Sequence, residues 1–352
     1  MPPIPVLILF GPTASGKTEI VNRLAACPGG GPAGYRGIEL VSADSMQVYR
    51  GMDIGTAKPS PEERRRLPHH LIDIRDPNEQ FNAGEFVRLA DECCARIAGR
   101  SSLPVVSGGT GFYLKNFILG LSEAPPSDPE IRAALREELP RRGIESLMEE
   151  LRRVDPVSAA RIHPHDEYRL LRALEVFRLG GRPLSSYCSG LAAPEPQDRD
   201  SRYRFLIIGL QRERGELYRR VNERCAAMFR AGLPAEVNAL VKRGYGPGDP
   251  GMRAIGYREF FIGTTEDGTT EEPRRGFRLA TDLAGVEALV AQNSRRYAKR
   301  QITYFASIPH VQWIDVEKAG EKSAELVRAM VESSLTSGNS TRRRRQFGPS
   351  RT

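Results

Sequence analysis

The apolar positions of the first 120 residues form short runs that alternate with stretches of helical spacing. The runs predict buried strands at 6–10, 38–42, 71–74 and 103–107, and the helical spacing predicts helices at 17–25 and 84–98. Strands that alternate with helices in this way form a parallel sheet whose faces are covered by the helices. The pattern therefore predicts an α/β fold.

The pattern changes between Ser122 and about Arg202, where helical spacing continues without strand-like runs. Asp128 followed by Pro129 is typical of a helix N-terminus, because the aspartate accepts from the first amides and proline needs no N–H there. The first pattern then resumes with strands at 205–210 and 311–314 and helices at 214–232, 234–243 and 279–306.

Three regions follow from these changes. We predict a catalytic core of residues 1–121 and 203–315 and a helical insertion domain of residues 122–202. Residues 316–352 are predicted to be a C-terminal helix followed by a disordered basic tail from about Ser333, which contains the run Arg342–Arg345. That run either attracts nucleic acid without specificity or is merely solvated.

A glycine-rich octapeptide follows the first strand directly. It consists of Gly11, Pro12, Thr13, Ala14, Ser15, Gly16, Lys17 and Thr18, and it fits the pattern G-x-x-x-x-G-K-[ST] between a strand and a helix. Its amides and the helix N-terminus would surround an anion, Lys17 adds a positive charge, and the Thr18 hydroxyl is placed to bind Mg²⁺. The octapeptide predicts binding of a di- or triphosphate. Alone it suggests ATP, but it leaves open whether the phosphate is hydrolysed, transferred or expelled.

Polar residues also follow other predicted strands. Asp44 follows the second strand and Thr110 the fourth, and ligands of open parallel sheets bind beyond the carboxyl ends of the strands. The Asp44 carboxylate could bind Mg²⁺, act as a general base or only cap a turn. Arg220 and Arg224 are four residues apart and therefore share one helix face, which either binds a pyrophosphate or lies in solvent.

Charge and composition narrow the choice of partner. The net charge of +8 suits a polyanionic partner. Residues 295–305 interleave cations with aromatic rings, which indicates either an RNA-binding surface or a solvated basic helix whose aromatic residues pack on the core. No apolar stretch approaches the roughly 20 residues of a membrane span, and no signal peptide is evident, so we expect a cytoplasmic protein. The five cysteines and the pair His163 and His165 do not complete a zinc set.

Together these motifs resemble those of the tRNA dimethylallyltransferases, also called bacterial tRNA isopentenylpyrophosphate transferases. Beyond the octapeptide, the resemblance rests on SADSMQVYRGMDIGTAKP at 42–59, HHLIDI at 69–74, GGT at 108–110, DP at 155–156, RALEV at 172–176, AIGYR at 254–258 and KRQIT at 299–303. It spans residues 6 to about 305 and implies a P-loop NTPase-like parallel sheet, flanked by helices, with a helical insertion. The loop at 28–37 is longer than the family needs, and the tail after Ser333 lies outside the resemblance.

The resemblance implies an activity. The enzyme would transfer a dimethylallyl group from dimethylallyl diphosphate to N6 of the adenosine next to the anticodon, on its 3′ side, in tRNAs that read codons beginning with U. Asp44 would be the general base, while Lys17, Arg224 and Mg²⁺ at Thr18 would stabilise the departing diphosphate. The partner would be the tRNA anticodon stem-loop, clamped by the insertion, and we expect no membrane association and a monomer.

The resemblance also implies a set of tRNA contacts spread along the chain. They are Asp44, Ser45, Met46, Gln47, Thr110, Arg132, Tyr168, Arg169, Leu170, Leu171, Arg172, Arg253, Ala254, Ile255, Gly256, Tyr257, Arg258, Lys299, Arg300, Gln301, Ile302, Thr303 and Tyr304.

Three alternatives remain. A nucleoside or shikimate-type kinase would use the same octapeptide for ATP but would lack a large basic RNA surface. An enzyme that prenylates free adenine nucleotides would lack the tRNA-contacting segments. A non-catalytic RNA-binding module would leave the octapeptide and the block around Asp44 without a purpose.

Overall fold

A parallel sheet of six strands lies at the centre of the molecule's first compact unit. The computed structural model describes residues 2–26, 31–187, 202–263 and 277–345, with side chains as far as residue 335. Its strands are β1 (Ile4–Phe10), β2 (Ile38–Ser42), β3 (His69–His70), β4 (Leu103–Gly108), β5 (Tyr203–Gln211), β6 (Phe261–Ile262), β7 (Arg278–Leu279) and β8 (Gln312–Asp315). The sheet has the order β3-β2-β4-β1-β5-β8, and β6 and β7 form a separate antiparallel pair. The predicted α/β class is confirmed.

Thirteen α-helices are found within the described ranges. They are α1 (Lys17–Ala25), α2 (Pro61–Arg66), α3 (Ala83–Gly99), α4 (Gly111–Leu119), α5 (Pro129–Arg142), α6 (Ile144–Val154), α7 (Pro156–Arg161), α8 (Glu167–Gly180), α9 (Arg214–Arg230), α10 (Leu233–Lys242), α11 (Leu283–Phe305), α12 (Val316–Ala319) and α13 (Ser323–Arg345). None of these helices combines the length and the apolar character that crossing a membrane requires.

β1 shows why the sheet is buried on both faces. Val6, Ile8 and Phe10 join the apolar core on one face, which includes residues of α3, α4, α9, α10 and α11. Leu7 and Leu9 join the core on the other face, against α1 and α13. Because alternate side chains enter two cores, the strand is a continuous apolar run, as is usual in the middle of a parallel sheet.

The chain divides into two compact units. The first is Met1–Leu119 with Glu195–Thr352, and the second is Gly120–Pro194. The second unit contains α5 to α8 and, in its described part, no strand. Its own core includes Leu135, Leu147 and Leu151. Asp128 caps α5 as predicted, accepting from the amides of Glu130 and Ile131, and Pro129 opens the helix.

Two predicted elements in the first unit were placed wrongly. The strand expected at 71–74 is instead the two-residue β3, because Leu71 and Asp73 have φ angles of 62° and 57°, which no strand accommodates. The helix expected at 279–306 begins only at Leu283, where Asp282 caps it, and residues 278–279 form β7.

Disorder was predicted from about Ser333, whereas the backbone that the structure describes is helical there. α13 continues through that residue to Arg345, and an apolar stripe holds its first part against the sheet. Val327 and Val331 are buried, and Leu335 packs on the same core. Polar composition after Ser333 concealed this helix. Residues 346–352, at the end of the predicted tail, and residues 28–30, at the start of the loop predicted at 28–37, lie outside the described residues.

Candidate functional site

The octapeptide Gly11–Thr18, here called the phosphate loop, connects β1 to α1. Gly16 adopts a φ of 100°, which strongly favours glycine, and α1 begins at the next residue. The Lys17 ammonium lies within the loop, and Nζ donates to the carbonyl oxygens of Gly11 at 2.8 Å and Pro12 at 2.9 Å. Burial, with the nearby Arg224 guanidinium, lowers the pKa of Lys17 from 10.5 to about 7, although Asp44 opposes the shift.

Arginines from α9 and from the segment directly after β5 converge on this loop. Arg220 Nε donates to Ala14 O at 3.2 Å, and Arg212 Nε approaches Ser15 O at 3.4 Å. Arg224 lies one turn after Arg220, and both arginines line the cavity beside the loop. Burial lowers the pKa of Arg224, while Asp44 opposes the shift. Of the two alternatives for the pair Arg220 and Arg224, the structure supports the face directed at the phosphate loop.

Two cavities meet beside the loop. The phosphate cavity, of about 750 Å³, is lined by Thr13, Ala14, Gly16, Lys17, Thr18, Arg220 and Arg224 among others. The apolar cavity, of about 290 Å³, is lined by Met46, Val221, Cys225, Met228, Ile255 and Val290 together with polar residues. Both cavities are lined by Thr13, Asp44, Arg224 and Tyr297. A ligand with a charged end and an apolar end would therefore pass these four side chains.

Asp44 has one committed oxygen and one open oxygen. Its Oδ1 accepts from Met46 N at 2.8 Å and Gln47 N at 3.3 Å. Within the described part of the chain, its Oδ2 accepts no hydrogen bond, and the side chain is half-buried. Asp44 can therefore cap the turn and also act as a general base or Mg²⁺ ligand. One oxygen holds the turn, while the other remains available at the junction of the cavities.

The loop after β4 and the helix α11 complete this junction. Thr110 Oγ1 accepts from Ser45 N at 3.0 Å, and it lies near Tyr297, whose pKa burial raises to about 12. Gln301 accepts from Thr13 N at 2.9 Å and donates to Gly109 O at 2.7 Å. Gln301 therefore connects the phosphate loop to the loop after β4.

The predicted tRNA contacts differ in exposure. Tyr168, Arg169, Arg253, Lys299, Arg300, Ile302 and Thr303 are exposed, and Ser45, Met46, Gln47, Thr110, Arg132, Arg172, Ile255, Arg258 and Tyr304 are half-buried. Leu170, Leu171, Ala254, Gly256, Tyr257 and Gln301 are buried. The side chains of these buried residues pack in the cores or hold loops together, so their predicted contacts with tRNA stay a prediction.

In the second unit, two predicted contact arginines have a structural role. Arg132 and Arg172 each pair with the buried Glu175 carboxylate at 3.0 Å. The guanidinium of Arg132 also lies over the ring of Tyr168, 4.6 Å from its centroid, and that ring is 69% exposed. Arg132 thus joins the buried Glu175 carboxylate to an exposed aromatic ring.

The donor set at Thr18 fits a Mg²⁺ ion that binds together with a phosphate ligand. Among the residues described, no three His, Cys, Asp or Glu side chains are grouped to hold a metal. Thr18 and Asp44 both line the phosphate cavity, and Mg²⁺ commonly binds through one or two protein oxygens, substrate phosphates and water. The residues therefore suit an ion shared with the ligand.

Sequence reasoning missed two residues at this site. Tyr297 lines both cavities. The aromatic spacing of α11 indicated the helix but not this residue. Glu236, on α10, accepts from the backbone of residues 53–55, and nothing local to α10 indicates that contact.

The chain resembles characterised proteins along most of its length. The family model described as IPP transferase matches residues 47–308. A tRNA dimethylallyltransferase of Desulforudis audaxviator is 42% identical over 90% of this chain and 94% of its own, and that of Geobacter sulfurreducens is 44% identical over 88% and 91%. The crystal structure of the full-length tRNA isopentenylpyrophosphate transferase from Bacillus halodurans has 34% identity and a TM-score of 0.60, and covers 95% of this chain and 99% of its own.

Proposed function

The chain belongs to the IPP transferase family, and from that premise we propose that it is a tRNA dimethylallyltransferase. It transfers a dimethylallyl group from dimethylallyl diphosphate to N6 of the adenosine next to the anticodon, on its 3′ side, in tRNAs that read codons beginning with U. Diphosphate is released. One observation carries the proposal: Asp44 lies at the junction of a cationic phosphate cavity and an apolar cavity.

The diphosphate end of the donor binds in the phosphate cavity. The amides of the phosphate loop, Lys17 and Arg224 surround the negative charge, and Arg220 holds the loop through Ala14 O. Thr18 would hold Mg²⁺ together with the diphosphate, and the ion would supply further positive charge there. These groups act mainly on the transition state, because the diphosphate gains charge as its bond to carbon breaks.

The dimethylallyl end lies in the apolar cavity. Arg224 follows Val221 by three residues and precedes Met228 by four, so the diphosphate-binding and apolar side chains form one stripe of α9. This stripe leads from the phosphate cavity to the apolar cavity. It directs the reacting carbon past Asp44, away from bulk water.

In the reaction, the C1–O bond of the donor breaks and its electron pair passes to the diphosphate. The lone pair of the adenosine N6 forms the new bond to C1, and Asp44 Oδ2 takes one N6 proton. Because the amine lone pair is delocalised into the adenine ring, a hydrogen bond to Asp44 would orient and activate it. The adenosine must first leave the stacked anticodon loop, at a cost of a few kcal/mol.

The acceptor RNA binds on the exposed face of α11. Lys299, Arg300 and Thr303 are exposed there, and Arg300 also lines the apolar cavity. The exposed face therefore continues into the cavity in which the target base would react. Cations of this kind contact phosphates, while neighbouring aromatic rings offer stacking surfaces to unpaired bases.

The test combines purified protein, Mg²⁺, labelled dimethylallyl diphosphate and tRNA that lacks the modification. We expect label in the tRNA, and Asp44→Asn should lower kcat by about 10²–10⁴-fold, the usual contribution of a general base, with tRNA affinity unchanged. Asp76→Asn, at a carboxylate that pairs with Arg50 on the surface, is the matched control. Transfer by Asp44→Asn at the wild-type rate would contradict the role of Asp44, and phosphorylation from labelled ATP would favour the kinase.

A further inference from the structure

We propose that Glu236 is a positioning residue for the transfer reaction, because its carboxylate fixes the loop that orients Asp44 and forms one wall of the apolar cavity. Glu236 lies in the first turn of α10. The proposal rests on the proposed function for its kinetic readout, and on hydrogen bonds within the free protein for its structural one.

The Glu236 carboxylate accepts four hydrogen bonds from neutral groups. Its Oε2 accepts from Asp53 N at 2.9 Å and Ile54 N at 2.8 Å. Its Oε1 accepts from Gly55 N at 3.2 Å and from the Tyr257 hydroxyl at 2.6 Å. Three successive amides and one phenol thus converge on a single side chain, which fixes the path of the backbone at residues 53–55.

These bonds join two segments that line the apolar cavity. Gly55 and Thr56 form part of the lining from one side, and Ala254, Ile255 and Gly256 from another. The two segments touch directly: a Cβ atom on Gly55 would lie 2.5 Å from the ring of Tyr257. The close approach of Gly55 to Tyr257 and the hydrogen bonds to Glu236 are two separate indications that this wall of the cavity is held in one position.

A short series of hydrogen bonds continues from this wall to Asp44. Gln47 Nε2 donates to the carbonyl oxygens of Thr56 and Ala57, each at 3.3 Å. The backbone N–H of Gln47 in turn donates to Asp44 Oδ1 at 3.3 Å, while Ser42 Oγ donates to Gln47 Oε1 at 3.0 Å. A displacement of residues 53–57 would therefore move Gln47 and, with it, the carboxylate that faces the reacting amine.

The loop has a second attachment that should let it fold without Glu236. Lys58, whose side chain is 0% exposed, donates to Tyr49 O at 2.7 Å and pairs with Asp53 and Asp73, each at 2.6 Å. Loss of the Glu236 carboxylate should therefore loosen the wall and not unfold it. This separates a positioning role from a general contribution to stability.

The experiment compares Glu236→Gln with the wild-type protein. The carboxamide can accept at one oxygen only and turns an NH₂ group toward donors, so at least one backbone amide loses its acceptor. Because the loop would then lose part of its attachment, we expect kcat to fall by about 10–100-fold. The KM for dimethylallyl diphosphate should stay within about twofold, because Glu236 does not line the phosphate cavity.

Two further measurements make the test specific. Amide hydrogen exchange in the free protein should become faster at residues 53–55 and unchanged in β1 and β4. Tyr257→Phe, which removes one of the four bonds, should lower kcat less than Glu236→Gln does. Glu325→Gln, at an exposed side chain on α13, is the matched control for loss of a carboxylate and should change neither property.

Each result decides the proposal. Faster exchange at 53–55 with kcat reduced and KM preserved supports it. Faster exchange with a wild-type kcat would reduce Glu236 to a structural role and overturn the proposal, as would unchanged exchange. A wild-type protein that transfers no prenyl group would contradict the proposed function instead, and the exchange rates would still decide whether Glu236 holds the loop.

Discussion

Replacement of Lys17 by methionine should change the pH dependence of stability in a direction set by the phosphate loop. The half-buried ammonium is enclosed by loop carbonyls, and burial together with Arg224 lowers its pKa from 10.5 to about 7 in the folded protein. The unfolded chain keeps the ordinary value. Between pH 7 and 10.5 the unfolded state therefore holds a proton that the folded state has released.

The sign and size of the effect follow from proton linkage. Stability rises with pH wherever the unfolded state binds more protons, by about 1.4 kcal/mol per pH unit for one full proton. For these two pKa values the contribution from Lys17 amounts to about 2 kcal/mol between pH 7 and 9, and solvent at a half-buried side chain reduces it to about 1–2 kcal/mol. Below pH 7 the folded protein bears the full cost of the enclosed charge.

Denaturant unfolding of both proteins at several pH values measures this contribution. The stability of Lys17→Met relative to wild type should be highest near pH 6 and should decline by about 1–2 kcal/mol by pH 9. The two carbonyl contacts that methionine cannot make shift this difference by a constant and leave its slope intact. Lys318→Met, at a side chain that is 86% exposed, should give a flat difference. A flat difference for Lys17→Met itself would refute the reasoning.

Three further predictions concern other parts of the molecule. Glu175→Gln should lower the free energy of unfolding by about 3 kcal/mol, because it leaves two arginines beside a neutral group in a site that is 0% exposed; unfolding at the wild-type denaturant concentration would contradict this. Lys299→Ala should lower the slope of log tRNA affinity against log salt by about 0.7–0.9, and an unchanged slope would remove Lys299 from the phosphate contacts. Gly108→Ala should yield little folded protein by circular dichroism, because its Cβ would lie 2.1 Å from Ala43 O, a backbone atom, and normal yield would contradict the close packing of β2 and β4.

The pattern of apolar residues predicted the strands whose side chains enter two cores. It failed where left-handed backbone angles prevent a strand. β1 was recognisable because five successive residues, 6–10, are apolar and buried. The segment after His70 is similarly apolar, yet Leu71 and Asp73 adopt left-handed φ angles, and Asp73 pairs with Lys58 and Arg64. These contacts join residues 9 and 15 positions apart, and hydrophobic periodicity within the segment does not report them.

The same distinction applies to the site. The phosphate loop is a local motif, so eight residues sufficed to find it, whereas Glu236 meets the backbone amides of residues 53–55 across 181 to 183 residues of sequence. Gln301 is an intermediate case. It was placed on the RNA face, but Ala298, Gln301 and Phe305 are all buried and are spaced by three and four residues, which is the spacing of the inward face of a helix. That spacing could have identified Gln301 as an internal contact.

The position of Asp44 favours departure of the phosphate group over its transfer. In phosphoryl transfer, the base must direct a nucleophile at phosphorus, and cationic groups must surround the group that moves. Here the basic side chains of Lys17 and Arg224 line the phosphate cavity, whereas Asp44 also faces a cavity with an apolar wall that includes Val221 and Met228. A group that moves past Asp44 into the apolar cavity is stabilised there if it is a hydrocarbon. The charged diphosphate of the donor stays at the phosphate loop. The phosphate loop therefore serves to hold the leaving group.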